Sequence, residues 1–281
     1  MDLSVCVCGA GTMGSGIAYT TAANGIYTVL YDLNADSLVA AAMQVRKELQ
    51  TAVEKKRLNE AESKNIWNRI LFTSTLSDCR AEIIIEAIIE NTEAKSALFK
   101  SLATYNEADT LFATNTSSLS VALIAEQTPF PEKVIGMHFF NPVTRMKLVE
   151  IVKTKYVADD TVKRISDLVM RLKKTAVICQ NAPGFIVNHV ARPYYLEAMR
   201  LLEEGVAEIG SIDKIMQSAG FKMGPFHLMD LIGNDINYAV SCSLYESMGE
   251  PTRLQPVSMQ EKLVKQGKLG IKTGGGFFQY Q

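Results

Sequence analysis

The sequence predicts an α/β protein: a Rossmann-like N-terminal domain with a mostly parallel sheet over residues 1–182, followed by an all-helical C-terminal domain over residues 183–281. Strand-like and helical patterns alternate through the first part of the chain, which is typical of a sheet with helices on both faces. After the segment Asn181-Ala182-Pro183-Gly184, helical patterns follow one another. No good strand pattern returns until the last few residues.

Short runs rich in aliphatic and β-branched residues are predicted as the strands of the first domain. They are Leu3–Cys8, Tyr27–Tyr31, Ile83–Glu86, Thr110–Thr114, Lys133–Phe139, Leu148–Val152 and Ala176–Cys179. The helices predicted between them run to about Asn24 and over Ala35–Arg57, Glu60–Arg69, Thr92–Thr104, Ser120–Glu126 and Asp160–Lys173. In the second domain, glycines separate the predicted helices Phe185–Glu204, Ile212–Ala219, Leu228–Met248 and Met259–Gln266.

Composition limits the classes of function that the chain can serve. Hydrophobic residues make up 47% of the 281, enough for a sizeable core, and the formal net charge of −1 gives no reason to expect nucleic acid or a membrane as partner. The N-terminus shows no signal-peptide pattern, and an odd number of cysteines, five, is typical of free thiols in a reducing compartment. We therefore expect a cytoplasmic protein, and one without a metal site, because no Cys and His set has metal-ligand spacing.

A glycine-rich segment between the first strand and the first helix predicts a dinucleotide site. Gly9, Gly11 and Gly14 have the G-x-G-x-x-G spacing. In that order they permit a tight turn, a close approach of the backbone to a pyrophosphate, and close packing of helix on strand. The helix N-terminus offers free N–H groups to the phosphates. The residues predicted to line the site are Gly9, Gly11, Thr12, Met13 and Gly14.

Asp32, at the end of the second strand, indicates which dinucleotide binds. Its carboxylate can accept hydrogen bonds from ribose hydroxyls and would repel a 2′-phosphate, and neither Leu33 nor Asn34 supplies a compensating arginine. The expected cofactor is therefore NAD rather than NADP. The alternative interpretation is a glycine turn without a ligand, together with an aspartate that caps the following helix.

Further motifs occur in order along nearly the whole chain. They are Glu86-Ala87-Ile88-Ile89-Glu90-Asn91, Asn115-Thr116-Ser117-Ser118-Leu119, His138-Phe139-Phe140-Asn141-Pro142, Met146-Lys147-Leu148-Val149-Glu150, Pro183-Gly184-Phe185-Ile186-Val187-Asn188, Gly224-Pro225-Phe226 and Lys272-Thr273-Gly274-x-Gly276-Phe277. Together they resemble the 3-hydroxyacyl-CoA dehydrogenase family, including the short bacterial 3-hydroxybutyryl-CoA dehydrogenases. The resemblance implies NAD-dependent oxidation of (S)-3-hydroxyacyl-CoA, a role in fatty-acid metabolism, and a homodimer formed through the C-terminal domain.

His138 and Glu150 are the candidate catalytic pair. Oxidation of a secondary alcohol requires a base for the hydroxyl proton, and histidine is the side chain whose ordinary pKa lies near the working pH. His138 follows a strand-like run, and Glu150 lies in the next one, which can fold back so that the carboxylate orients the imidazole. The resemblance assigns the two residues these same roles. The alternatives are a structural histidine and a charge at the edge of a strand.

The resemblance also implies roles for other polar residues. Ser117 and Asn188 are expected to contact the reacting part of the substrate, although the residues alone fit a helix N-cap region and a polar position on a helix equally well. The positions expected around the nicotinamide and its ribose are Glu90, Lys95, Asn115, Asn141 and Lys272.

Lys55 and Lys56 close a long predicted helix and are candidates to bind the phosphates of CoA, as basic residues of the family do at this place. The alternative is a solvated basic turn favoured by the helix dipole. His189 and His227 match no catalytic position and are expected to be structural. Two other functions remain open at this point: a dehydrogenase of a 3-hydroxy acid without CoA, as in the gulonate dehydrogenase relatives, and a non-catalytic relative such as a lens crystallin.

Overall fold

A computed structural model describes residues 3–280, and within them the chain divides into two compact units between Asn181 and Ala182. The first unit is a mostly parallel sheet with helices, and the second is built of helices. The predicted fold class, a Rossmann-like α/β part followed by an all-helical part, is therefore confirmed.

The sheet of the first unit has eight strands within the described residues. They are β1 (Ser4–Cys8), β2 (Tyr27–Tyr31), β3 (Ile70–Thr73), β4 (Ile83–Glu86), β5 (Leu111–Thr114), β6 (Val134–Phe139), β7 (Leu148–Lys153) and β8 (Thr175–Gln180). Their order is β3-β2-β1-β4-β5-β6-β7-β8. Strands β1 to β6 are parallel, whereas β7 is antiparallel to β6 and β8 is parallel to β7.

The strand order reverses between β1 and β4. Strands β2 and β3 are added on one side of β1, and strands β4 to β8 follow on its other side. In open α/β sheets, ligands bind outside the carboxyl ends of the strands at such a reversal. The carboxyl end of β1 continues into the glycine-rich segment, and the carboxyl end of β4 is Glu86. The topology therefore places these two features side by side.

Helices connect most of the strands of the first unit. They are α1 (Thr12–Ala23), α2 (Ala35–Glu54), α3 (Glu60–Asn68), α4 (Thr92–Ala103), α5 (Val121–Glu126) and α6 (Asp159–Arg171). Local sequence explains their starting points: the Asn34 side chain accepts hydrogen bonds from two backbone amides of α2, and Asn59 and Glu62 form a capping box at α3. Buried Val162, Ile165 and Leu168 recur at helical spacing on α6 and face the core.

One strand of the sheet was missing from the sequence prediction. Residues Ile70–Thr73 form β3 at the edge of the sheet, one residue after helix α3 ends. The run has four residues, as the inner strands β4 and β5 do, but it exposes Leu71 and follows helix α3 after the single residue Arg69, with no glycine or proline between them. An edge strand joined so closely to a helix gives little separate signal in the sequence.

The second unit contains the helices α7 (Val187–Glu203), α8 (Ile209–Ser218), α9 (Pro225–Ile232), α10 (Asn234–Ser247) and α11 (Ser258–Lys265). The prediction of a single helix over Leu228–Met248 is wrong, because Gly233 has a φ of +102° and separates α9 from α10. A left-handed backbone of this kind ends a helix and favours glycine. The apolar pattern continues through the break, which is why it suggested one helix.

Asp230 on α9 fixes the C-terminal segment of the second unit. Its buried carboxylate accepts hydrogen bonds from the backbone amides of Phe277 and Phe278, at 3.0 and 2.9 Å, and from the hydroxyl of Tyr280 at 3.0 Å. A buried carboxylate is stable when donors satisfy both oxygens. Segment 276–280 is therefore held by side-chain chemistry rather than by a regular strand. No helix described over residues 3–280 has the length and apolar character required to cross a bilayer.

Candidate active site

The glycine-rich segment forms a tight loop between β1 and α1. Gly9 has a φ of +105°, and a Cβ atom on it would lie 2.4 Å from the carbonyl oxygen of Ala87, after β4. A Cβ atom on Gly14 would lie 1.7 Å from the carbonyl oxygen of Gly9. Both positions therefore require glycine, one for its conformation and both for close packing. Gly11 is different, because no atom lies within 4 Å of the place where its Cβ would be.

The start of α1 is suited to a phosphate group. Gly11 is the N-cap residue, and no side chain caps the first amides of the helix, to which Thr12 and Met13 belong. Uncapped amides and the helix dipole attract an anion, and the open space at Gly11 lets one approach the backbone. The loop therefore fits the pyrophosphate of a dinucleotide.

Asp32 lies against the same loop at the end of β2. One carboxylate oxygen accepts a hydrogen bond from the Ala10 amide at 2.7 Å, and the other accepts one from the Asn34 amide at 2.9 Å. The cap of α2 is Asn34 and not Asp32, so the helix-capping alternative for Asp32 is wrong. These two bonds hold the carboxylate beside the glycine loop, where a ribose linked to a bound pyrophosphate would lie.

His138 and Glu150 form a direct contact between adjacent strands. They face each other in the antiparallel register of β6 and β7, and His138 Nδ1 lies 2.7 Å from Glu150 Oε2. Both residues are buried, with exposures of 5% and 1%. The carboxylate accepts the Nδ1 proton in the neutral imidazole, which leaves Nε2 as the nitrogen able to take up a proton. The ring of Phe140 packs on the imidazole with centroids 4.5 Å apart.

Two asparagines lie near His138: Asn115 follows the neighbouring strand β5, and Asn141 comes three residues after His138 in the chain. Asn115 follows β5 directly, and its side-chain oxygen accepts a hydrogen bond from the amide of Phe139 at 2.8 Å. Asn141 is exposed and comes two residues after β6 ends, and its bond to Pro142 is cis. Both polar side chains therefore stand at the carboxyl edge of the sheet, where His138 also lies.

Glu90, Lys95 and Ser117 belong to a second polar cluster at this edge. The Lys95 ammonium lies 2.6 Å from Glu86 Oε1 and 3.0 Å from Glu90 Oε2. Glu90 Oε1 in turn accepts hydrogen bonds from the Ser117 amide, at 3.0 Å, and from the hydroxyls of Thr116 and Ser118. The carboxylate of Glu90 thus joins a helix, α4, to the loop that follows β5.

The two glutamates of this cluster differ in their electrostatics. Burial tends to raise the pKa of Glu90, but the charge of Lys95 and the donors of the Thr116 loop outweigh it and hold that pKa below its ordinary value. Burial raises the pKa of Glu86, and there the same ammonium and the hydrogen bonds from Thr114 and Ile88 offset the effect only in part. Glu86 is therefore the more costly charge to bury.

The sequence predictions did not single out Glu86, although it stands in one of the quoted motifs. Its side chain is fully buried, and both oxygens accept hydrogen bonds: from Lys95 and the Ile88 amide on Oε1, and from the Thr114 hydroxyl on Oε2. A signal was present, because Glu86 is the one charged residue of the strand Ile83–Glu86. An acid at the end of a buried strand needs partners and indicates a polar site.

The remaining candidates stand at the end of α2 and in the helical unit. Lys55 and Lys56 are exposed at the end of α2. In the helical unit, Asn188 is in the first turn of α7, where its carbonyl accepts a hydrogen bond from Arg192 Nε, and Lys272 forms an ion pair with Asp235 at 2.6 Å. His189 Nδ1 lies 3.2 Å from the carbonyl of Pro183, and His227 Nδ1 lies 2.6 Å from Asp213.

The loop, Asp32 and the strand order define a dinucleotide-binding protein of the doubly wound α/β class. Comparison with known proteins specifies the family. Residues 4–182 match the model of the 3-hydroxyacyl-CoA dehydrogenase NAD binding domain, and residues 184–280 match that of the 3-hydroxyacyl-CoA dehydrogenase C-terminal domain.

Individual relatives agree with the family models. The chain is 41% identical to 3-hydroxyadipyl-CoA dehydrogenase of Escherichia coli, with 99% of this chain and 59% of that protein covered, so the chain spans about three fifths of that relative. It is 38% identical to the mitochondrial hydroxyacyl-coenzyme A dehydrogenase of Sus scrofa, covering 99% of this chain and 91% of that one. The solved structure of (S)-3-hydroxybutyryl-CoA dehydrogenase from Ralstonia eutropha superposes with a TM-score of 0.94 at 33% identity, over 100% of both chains.

The chain therefore belongs to the 3-hydroxyacyl-CoA dehydrogenase family, a family of oxidoreductases, and NAD is its cofactor. The match to an NAD binding domain confirms the prediction that NAD is the cofactor. The loop fits this cofactor through its uncapped amides and through the open space at Gly11.

Two glycine substitutions should separate packing from ligand approach. Gly14→Ala should lower the melting temperature and weaken NADH binding by about a hundredfold or more, because its Cβ would meet the Gly9 carbonyl and displace the loop. Gly11→Ala should leave the melting temperature within about 2 °C, because its Cβ meets no atom, and should still weaken NADH. Thermal melting and NADH fluorescence titration measure both effects. Unchanged NADH affinity in Gly11→Ala would contradict an approach of the pyrophosphate at this residue.

Proposed function

We propose that the chain catalyses the reversible, NAD-dependent oxidation of a short-chain (S)-3-hydroxyacyl-CoA, such as 3-hydroxybutyryl-CoA, to the 3-oxoacyl-CoA. The observation that carries the proposal is the buried contact of His138 with Glu150 at the carboxyl edge of an NAD-binding sheet. Similarity to proteins described as 3-hydroxybutyryl-CoA and 3-hydroxyadipyl-CoA dehydrogenases supports the substrate class.

His138 is the general base of the oxidation in this proposal. Its Nε2 accepts the proton of the substrate hydroxyl while the O–H electron pair becomes the C=O bond and the C3 hydrogen leaves with its electrons as hydride. Glu150, 2.7 Å from Nδ1, holds the imidazole in the required tautomer and stabilises the imidazolium that forms. In the reverse direction the same Nε2 returns the proton to the 3-oxo group.

The bound NAD supplies the hydride acceptor. Gly9, Gly11, Thr12, Met13 and Gly14 would hold its pyrophosphate and Asp32 its adenosine ribose, which favours NAD over NADP. The residues that would surround the nicotinamide and its ribose are Glu90, Lys95, Asn115, Asn141 and Lys272. This assignment makes residues 1–182 the cofactor domain.

Ser117, Asn188, Lys55 and Lys56 are assigned to the substrate. Ser117, whose amide is fixed by Glu90, and Asn188, in the first turn of α7, would donate hydrogen bonds to the substrate oxygens.

Lys55 and Lys56 are exposed cations suited to the phosphates of CoA. Replacing both lysines with Gln should raise the KM of the CoA substrate without lowering kcat. Residues 183–281 would form the domain that covers the substrate.

A graded substrate assay tests the function as a whole. NADH consumption should be fast with acetoacetyl-CoA, should fall with longer 3-oxoacyl-CoA substrates, and should be at least about a hundredfold lower in kcat/KM with free acetoacetate, because the acid lacks the binding energy of CoA. NADPH should replace NADH poorly. A 3-oxoadipyl-CoA arm tests the substrate class of the E. coli relative.

The assay also separates the alternatives. Equal activity with free 3-oxo acids would favour a dehydrogenase that does not use CoA. Binding of NADH without turnover of any substrate would favour a non-catalytic relative.

The variant His138→Asn tests the base. Its turnover should fall by about two to four orders of magnitude, the usual contribution of a general base, while the dissociation constant of NADH should change little. Steady-state kinetics and NADH titration measure the two quantities. His189→Asn is a matched control, because His189 contacts a backbone carbonyl of the helical unit instead of a carboxylate. Wild-type turnover in His138→Asn would exclude His138 as the base.

We also infer a homodimer formed by the helical domain. The inference follows the family resemblance, and the side chains Val206, Ile215, Phe221, Leu231 and Ile236 of this domain, which are at least half exposed, are its candidates for the interface. Sedimentation velocity should give about twice the mass of one chain, and Ile215→Lys with Leu231→Lys should shift it towards the monomer if these residues lie in the interface. A monomer in the unsubstituted protein at micromolar concentration would contradict the inference.

A further inference from the structure

Glu86 is a charged residue with no role in the proposed reaction, yet it lies at the centre of the sheet. It is the last residue of β4, between Cys8 of β1 and Thr114 of β5 in the register. The amide of the next residue, Ala87, donates a hydrogen bond at 2.7 Å to the carbonyl of Cys8, the residue directly before the glycine loop. Glu86 therefore lies beneath the point where the strand order reverses.

The contacts of Glu86 oppose the effect of burial, which raises the pKa of its carboxyl group. Three donors reach its two oxygens: Lys95 Nζ at 2.6 Å, the Ile88 amide at 2.7 Å and the Thr114 hydroxyl at 2.7 Å. Hydrogen bonds to the charged form and a neighbouring ammonium both favour ionisation. Its side chain is fully buried, so Lys95 and not water balances its charge.

Lys95 connects Glu86 to the cofactor side of the site. It is 1% exposed and lies between Glu86 and Glu90, which is 38% exposed and is therefore the member of the cluster that a ligand can reach. Two carboxylates and one ammonium give this cluster a net charge of −1. If Glu86 were neutral, the net charge of the cluster would be zero with nearly the same shape.

We propose that Glu86 is a positioning residue that holds Lys95 against Glu90 and sets the charge presented to the nicotinamide, so that the site favours the oxidised, positively charged NAD+ over NADH. The proposal rests on the proposed function, in which Glu90 and Lys95 adjoin the nicotinamide. The physical reason is that a net negative charge stabilises a cation more than a neutral ring, and it does so strongly where water is excluded.

The same chain of contacts reaches the substrate side. Lys95 holds one oxygen of Glu90, and the other oxygen holds the Ser117 amide at 3.0 Å. The Glu86–Lys95 pair is therefore linked to Ser117 through the two oxygens of Glu90.

The variant Glu86→Gln isolates the charge. The amide oxygen can accept from Lys95 and from the Ile88 amide, and the amide nitrogen can donate to the Thr114 hydroxyl, so each hydrogen bond has a counterpart. The ratio of the dissociation constants of NAD+ and NADH should rise about tenfold, the order expected for one unit charge inside a protein. Calorimetry with NAD+ and fluorescence titration with NADH measure the ratio on the full chain.

Two matched variants separate charge from structure. Thr114→Val removes one donor from the same carboxylate and keeps its charge, and Glu93→Gln removes an exposed charge two residues from Lys95. Both should leave the NAD+/NADH ratio within about twofold of the unsubstituted protein, because exposed charges are screened and the buried charge is retained. A tenfold change in Thr114→Val would indicate a structural effect and overturn the proposal.

The outcomes distinguish this proposal from the proposed function. Affinities that change equally for NAD+ and NADH in Glu86→Gln overturn the charge role, even when the unsubstituted enzyme turns over acetoacetyl-CoA. If the unsubstituted protein binds both cofactors but has no turnover, the proposed function fails and the binding ratio still tests Glu86. If Glu86→Gln does not fold, Glu90→Gln also brings the cluster charge from −1 to zero, and its ratio must then rise as well. No such movement overturns the proposal.

Discussion

Burial of charge at the carboxyl edge of the sheet is the constraint on which the site depends. Glu86, Lys95, His138 and Glu150 are each 5% exposed or less. An ionised group without water must find its counter-charge in the protein, and removing one partner leaves the other uncompensated. Lys95 is this counter-charge for Glu86, whereas the carboxylate of Glu150 accepts the Nδ1 hydrogen of His138, and each contact fixes its two side chains at the edge of the sheet.

The doubly wound topology explains why the pairs lie at one edge. Parallel strands deliver their carboxyl ends to the same side, so Gly9 after β1, Glu86 at the end of β4, Asn115 after β5 and His138 near the end of β6 are collected there by chain direction alone. Their backbone positions are rigid because the strands are buried on both faces.

This logic separates what the sequence could predict from what it could not. The glycine loop and Asp32 follow from local patterns, because the spacing of the glycines and the strand ends carry the information. The local pattern only permitted the His138–Glu150 contact, and the family resemblance favoured it over its alternatives. The role of Glu86 could be recognised only in the folded structure. Its partners Lys95 and Thr114 are 9 and 28 residues away along the chain, and no sequence spacing links them to it. Two local features were missed for a different reason. The edge strand Ile70–Thr73 follows a helix after one residue with no turn residue between them, and the apolar pattern continues across the break at Gly233.

The register between β6 and β7 is the last step that the catalytic pair requires. A shift of one residue would turn Glu150 to the opposite face of the sheet, away from His138. The turn between the strands prevents this: the amides of Arg145 and Met146 both donate to the Pro142 carbonyl, and Lys174 binds the carbonyls of Val143 and Met146 at 2.6 and 2.7 Å. Burial lowers the pKa of Lys174, as expected for a cation that is partly withdrawn from water to serve two carbonyls. The residues that connect the two strands thus set the geometry of the acid–base pair without touching it.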